Sequence, residues 1–151
     1  MSSISISPDE LQSAYFDFGF RYYVAGRLAA AERVNPVAAN LLHHAIAMFL
    51  LSGICAYTTE EERGRLGHDL DRIWNVFKDR LSAPNCLNRF DETVSALHEF
   101  EIIGRPETMA RVVTSELLVD QIEALMKAIC GASGINKARP APLQRTPRAT
   151  G

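Results

Sequence analysis

"NPVAANLLHHAIAMFLLSGIC", residues 35–55, decides how the rest of the chain is read. Val37, Leu41, His44, Met48, Leu51 and Cys55 recur at alternating four- and three-residue steps, which is one continuous stripe of an α-helix. Asn40, His43, Ala47, Leu50 and Ile54 make a second stripe beside it. A helix that is apolar nearly all round is surrounded by other helices. The spacing predicts a central helix over 36–55, with Asn35 as N-cap and Pro36 at its first position, where the missing N–H costs nothing. Two adjacent imidazoles are then at least partly enclosed, and each needs a partner.

Working outward, helical periodicity recurs and strand signals are nearly absent. Before this segment, Ser7-Pro8-Asp9-Glu10 reads as a helix start, with proline at the first position and acids facing the dipole. The apolar face of this first helix is expected to be Leu11, Ala14 or Tyr15, Phe18, Tyr22, Ala25 and Leu28 or Ala29. Gly19 and Gly26 share one side, and glycine costs about 1 kcal/mol in a helix interior, so the pair points to close backbone contact with a neighbour. After the central helix, "TTEEERGRL" (58–66) reads as a short capped turn, with Thr58 or Thr59 opposite Glu61 or Glu62. A third helix is expected over 68–81, burying Leu70, Ile73, Trp74, Phe77 and Leu81. A fourth spans 87–103, with Phe90, Val94 and Leu97 inward and Gly104 and Pro106 ending it. A fifth runs over 115–130 through Leu117, Leu118, Ile122, Leu125, Met126 and Ile129, closed by Gly131. The expected fold is all-α, an antiparallel four- to five-helix up-and-down bundle over residues 1–131, followed by a flexible, basic, proline-rich tail over 132–151.

A chain of 151 residues with 47% apolar and 23% charged side chains is one ordinary globular domain. The net charge of −2 is divided unevenly. The tail holds Lys137, Arg139, Arg145 and Arg148 and no acid, leaving 12 basic against 18 acidic residues in the body. An acidic body is a poor start for phosphate neutralisation, so DNA is not an expected partner. Cys55, Cys86 and Cys130 are widely spaced and form no CxxC, which suits reduced thiols in a cytoplasmic protein. "MSSISISPDE" lacks the basic and apolar regions of a signal peptide. The longest apolar stretch, Ala45 to Tyr57, is short for a bilayer, so no membrane role is expected.

The order of "YYVAGRLA" (22–29), "PVAANLLHHAIAMFL" (36–50), "GHDLDRIWNVFK" (67–78) and "FDETVSALHEFEIIGRP" (90–106) resembles the HEPN superfamily of small helical domains. More narrowly, it is similar to the bacterial subgroup with an "HHA" helix followed by a "GHDL" helix. The likeness covers about Tyr15 to Pro106, and none of these motifs is diagnostic by itself. It implies an up-and-down helical bundle that forms a homodimer. It also implies one of three roles: a metal-independent ribonuclease of toxin type, the partner of a small nucleotidyltransferase in a toxin–antitoxin pair, or a domain without known activity. Ribonuclease members carry Arg–x(4–6)–His, and Arg63 and His68 match that spacing through "GRLG". The match lies ahead of the third helix, whereas the family's pair belongs to a later core helix.

Arg63 and His68 are therefore the candidate catalytic pair. His43, His44, His68, Asp69, Arg21, Tyr22 and Arg105 are the candidate ligand-binding residues. Each also has a structural explanation. His43 and His44 can be neutral core imidazoles with a hydrogen-bond partner. His68 and Asp69 can simply start a helix, where the dipole disfavours a histidine cation. Arg21, Tyr22, Tyr23 and Arg27 can present a basic aromatic surface for nucleotide or RNA, or pack along a seam and pair with Asp17 or Glu32. Arg105 can cap the fourth helix. Adjacent histidines point about 100° apart on a helix, so a shared metal ion is not expected, and neither is a cofactor. No phosphate-cradling glycine loop, GxSxG, HExxH or CxxC is present. These observations lean towards a non-catalytic HEPN-like binding or interaction module recognising a nucleotide, an RNA or a partner protein, with the ribonuclease and the nucleotidyltransferase partner as alternatives.

Overall fold

The structure, a computed structural model, describes residues 6–81, 85–103 and 116–134. Among these residues there are six α-helices and no strand: α1 (Pro8–Ala31), α2 (Asn35–Ile54), α3 (Glu60–Leu66), α4 (Leu70–Arg80), α5 (Asp91–Ile103) and α6 (Glu116–Ser133). Single stretches of 3₁₀ helix at Cys55–Tyr57 and Asn85–Phe90 lead out of α2 and into α5. The all-α class is as expected, but the count exceeds four to five. The additional helix is α3, where a turn was expected. Thr59 Oγ1 accepts from the Glu62 backbone N–H at 3.1 Å, and three glutamates in the first turn oppose two arginines in the last. Caps and dipole thus support a helix too short to show a period.

α2 is the innermost element and touches α1, α4, α5 and α6. Leu42, Ala45, Ile46, Phe49, Leu50 and Ile54 are fully enclosed, each of the larger ones contributing about 1.5–3 kcal/mol on burial. The stretch Val37–Tyr57 is, by length and composition, long enough to cross a membrane, so the expectation that it is too short is corrected; 72% of that apolar window is covered by the other helices. Its start also differs from expectation. Asn35 is the first helical residue rather than the cap, and Val34 occupies the cap position without a side-chain bond. Val37, expected inward, is exposed.

α1 begins as its sequence indicates. Ser7 Oγ accepts from the Glu10 N–H at 3.2 Å, and the Glu10 carboxylate accepts from the Ser7 N–H at 3.4 Å. Its inward face is the expected one only in part. Gly19, Tyr23 and Gly26 are buried, with Tyr15, Phe16 and Tyr22 partly so, whereas Phe18, Ala25 and Leu28 face outward. The two glycines explain the difference. A Cβ at Gly26 would lie 2.8 Å from Leu42 Cγ and 3.2 Å from the Leu42 backbone nitrogen, and one at Gly19 would lie 3.0 Å from the Phe49 ring. The α1 backbone therefore rests directly on α2, as the glycine spacing implies. Ser52 Oγ, donating to the Gln12 carbonyl at 2.9 Å, adds a polar tie.

α4 buries Leu70, Ile73, Trp74 and Phe77, with Leu81 partly covered, as expected. It starts two residues later than expected because Asp69 is its N-cap, accepting from the Arg72 N–H at 3.1 Å. Trp74 Nε1 and Lys78 Nζ both donate to Asp91 Oδ1, at 2.7 and 2.8 Å, joining α4 to α5 and holding the Asp91 carboxyl below its usual range. α5 buries Val94 and Leu97, and Phe90 precedes it from the 3₁₀ stretch. α6 buries Ile122, Leu125 and Ile129 and runs through Gly131 to Ser133. Gly134, with φ +67°, ends it in place of Gly131. The expected terminator at 104–106, Arg105 and the tail beyond 134 lie outside the described residues. Cys55 and Cys130 are both buried.

Candidate functional site

His43 and His44 diverge from α2 as adjacent helical residues must. His43 turns inward and is 3% exposed, whereas His44 is only partly covered. The His44 ring sits 5.5 Å from Tyr22 of α1, 5.4 Å from His43 and 6.1 Å from His68, measured between ring centroids. Two of these contacts are edge-on, the arrangement aromatic quadrupoles favour. His98 completes the group from α5. Its Nε2 lies 3.8 Å from Asp69 Oδ1 and 3.6 Å from Asp71 Oδ2, where α4 begins. Its Nδ1 is buried and takes no hydrogen-bond partner among the described residues. All four histidines of the chain thus gather where α2, α4 and α5 meet the α3–α4 turn.

Burial pushes the His43 imidazole down to about 4, and the neighbouring His44, His98 and His68 push in the same direction. His43 is therefore neutral at physiological pH. A group so far from the working pH is a poor general acid or base, which leaves His43 a core histidine. His68 does not begin a helix, as expected, but stands exposed in the turn before Asp69. The turn owes its shape to Gly67, whose φ of +55° suits a residue without a side chain.

Arg63 and His68, the candidate catalytic pair, line one cavity of about 700 Å³. Its floor comes from Leu11 and Tyr15 of α1 and Ala47, Met48 and Leu51 of α2. Its opposite wall comes from Glu60, Gly64 and Gly67. Arg63 is anchored from behind. Its Nη1 donates to the Cys55 carbonyl at 3.2 Å, the Thr58 carbonyl at 2.6 Å and Thr58 Oγ1 at 3.1 Å. These bonds satisfy the Cys55 carbonyl at the end of α2 and the Thr58 carbonyl after the 3₁₀ stretch, so the guanidinium has a structural role whatever else it does.

The other candidates separate. Tyr22 and Asp69 join the histidine group, but Arg21 points into solvent on the outer face of α1. Arg27 donates to the Tyr23 hydroxyl at 3.0 Å and pairs with Glu123 of α6 at 3.3 Å, so this part of the tyrosine–arginine segment packs along a seam. Its acid comes from α6, not from Asp17 or Glu32. Among the described residues no three His, Cys, Asp or Glu side chains are placed to hold a metal ion. His98 is the member that was not among the candidates, because no arginine stands at the ribonuclease spacing from it. Its signal was present, since it follows the inward Val94 by four residues. No family model, curated protein or solved structure matches the chain.

Proposed function

We propose that this protein is a non-catalytic, HEPN-like, cytoplasmic interaction module that works as a homodimer built on the outer face of α1. One observation carries the reading. Phe20, Val24 and Leu28 recur every four residues on the solvent side of α1 and are 52%, 42% and 65% exposed. Apolar surface of this kind on one helix face marks a protein–protein contact. A single helix stripe is self-complementary about a two-fold axis, the commonest oligomer symmetry. The resemblance to a dimer-forming superfamily supports the same reading, with an up-and-down helix order.

The test is light scattering on the full chain and on a Val24→Glu, Leu28→Glu double variant. A wild-type dimer and a monomeric variant with an unchanged melting curve are expected, because neither side chain is in the core. A wild-type monomer refutes the reading. What the dimer recognises, whether a nucleotide, an RNA or a nucleotidyltransferase, is then separable by thermal shift and co-purification.

The shared cavity favours a second reading, a metal-independent ribonuclease using Arg63 and His68. RNA cleavage in the presence of chelator, lost in both Arg63→Ala and His68→Ala, would establish it. The anchoring of Arg63 to the end of α2 weighs against it.

A further inference from the structure

We propose that the cavity beside α3 is a binding site for a small monocarboxylic acid with a hydrocarbon body. The inference does not rest on the α1 dimer, because the cavity and the outer stripe of α1 share no residue.

The volume of about 700 Å³ falls within the range of small-molecule sites. The floor of Leu11, Ala47, Met48 and Leu51 is hydrocarbon apart from one thioether, and methionine adapts its shape to a ligand readily. The recognition element is Arg63. All three of its hydrogen bonds use Nη1, and among the described residues Nε and Nη2 take no acceptor. Those two nitrogens form the side edge of the guanidinium, the fork that matches both oxygens of a carboxylate. The bonds through Nη1 hold this fork in place before a ligand arrives, which lowers the ordering cost of binding. His68 supplies a second polar group on the same cavity.

Charge selects the anion. One guanidinium matches one negative charge. Glu60 also lines the cavity and makes no ion pair among the described residues, so a doubly charged phosphate meets repulsion there that a monoanion meets only in part. An alcohol leaves the fork unfilled, and an amine repels it. The glycine wall provides the room. Apart from the adjoining residues and the helix's own backbone, no heavy atom lies within 4 Å of where a Cβ would stand at Gly64 or Gly67.

Calorimetric titration of the full chain with octanoate tests the site, with octanol, octylamine and inorganic phosphate as comparison probes. Saturable one-to-one binding of octanoate is expected, at least about tenfold tighter than that of octanol or octylamine, as a charge-assisted bidentate contact implies. Gly64→Leu places a side chain in the empty wall of the cavity and improves helix propensity, so it is expected to abolish binding while leaving the melting temperature unchanged or raised. Glu60→Gln is expected to tighten binding. Absence of octanoate binding, octanol binding equally well, phosphate binding in its place, or undiminished binding to folded Gly64→Leu would each overturn the proposal. A monomeric Val24→Glu, Leu28→Glu variant that still binds octanoate separates this site from the dimer.

Discussion

Acidification should weaken the fold through His43. In the unfolded chain this imidazole titrates near 6.5, whereas in the folded protein burial and three neighbouring histidines bring it down to about 4. Between those values the unfolded state binds a proton that the native state refuses, so stability rises with pH across the window. The contribution is fully present above pH 6.5 and is lost as pH falls towards 4. At about 1.4 kcal/mol for each pH unit, the loss amounts to about 3 kcal/mol. The groups that face His43 are His44 on its own helix, His68 from the α3–α4 turn and His98 from α5, with Asp69 and Asp71 behind His98. Urea unfolding read by the fluorescence of Trp74, the chain's single and buried tryptophan, measures the effect directly. Carboxylates also lose stability in acid, so the informative quantity is the difference between wild type and His43→Leu. Any bond that leucine forfeits shifts its curve by a constant, but only the proton changes the slope. The wild-type curve should fall more steeply than the variant's between pH 6.5 and 4. Parallel curves would refute the enclosure of His43.

Three further outcomes follow from the packing. Gly26→Ala drives a methyl into Leu42 and its backbone, so it should lower stability by about 1–3 kcal/mol despite the better helix propensity, as thermal melts will show. Trp74→Phe keeps the stacked ring against Phe77 but removes the donor to Asp91, and should cost about 1 kcal/mol in urea titration because the acceptor is half exposed. His44→Leu should be tolerated or mildly stabilising, because the ring meets Tyr22, His43 and His68 through their faces and edges; a loss above about 3 kcal/mol in the same titration would indicate a hydrogen-bonded network instead.

The parts of the fold that were legible in the sequence are those in which side chains carry the pattern. α4 shows its buried face because Leu70, Ile73, Trp74 and Phe77 alternate cleanly with charged neighbours. The centrality of α2 follows from apolar residues on every side. α1 was read correctly at Tyr15, Tyr22 and the glycine pair but wrongly at Phe18, Ala25 and Leu28, because glycine has no side chain to score in an apolar stripe. Its true contact line, Gly19, Tyr23 and Gly26, is apolar in backbone rather than in side chain, while Phe18 and Leu28 imitate a core stripe on the solvent side. α3 was legible only as a cap, since seven residues complete too few turns to reveal a period. At the site, the adjacency of His43 and His44 was visible, but which of them is enclosed was not. His44 lies on the stronger stripe and yet is the more open of the two, because the covering of each ring depends on α4, α5 and the turn before α4. The joining of Arg63 and His68 to one cavity depends on the α3–α4 turn at Gly67, whose direction no local pattern states.

The burial of most of α2 between Leu42 and Ile54 has a consequence for how the molecule breathes. Its amide hydrogens from Leu42 to Ile54 are bonded within a helix that α1, α4, α5 and α6 all pack against. Their exchange rates should converge on one common value set by opening of the whole molecule, making this segment a built-in gauge of global stability that needs no label.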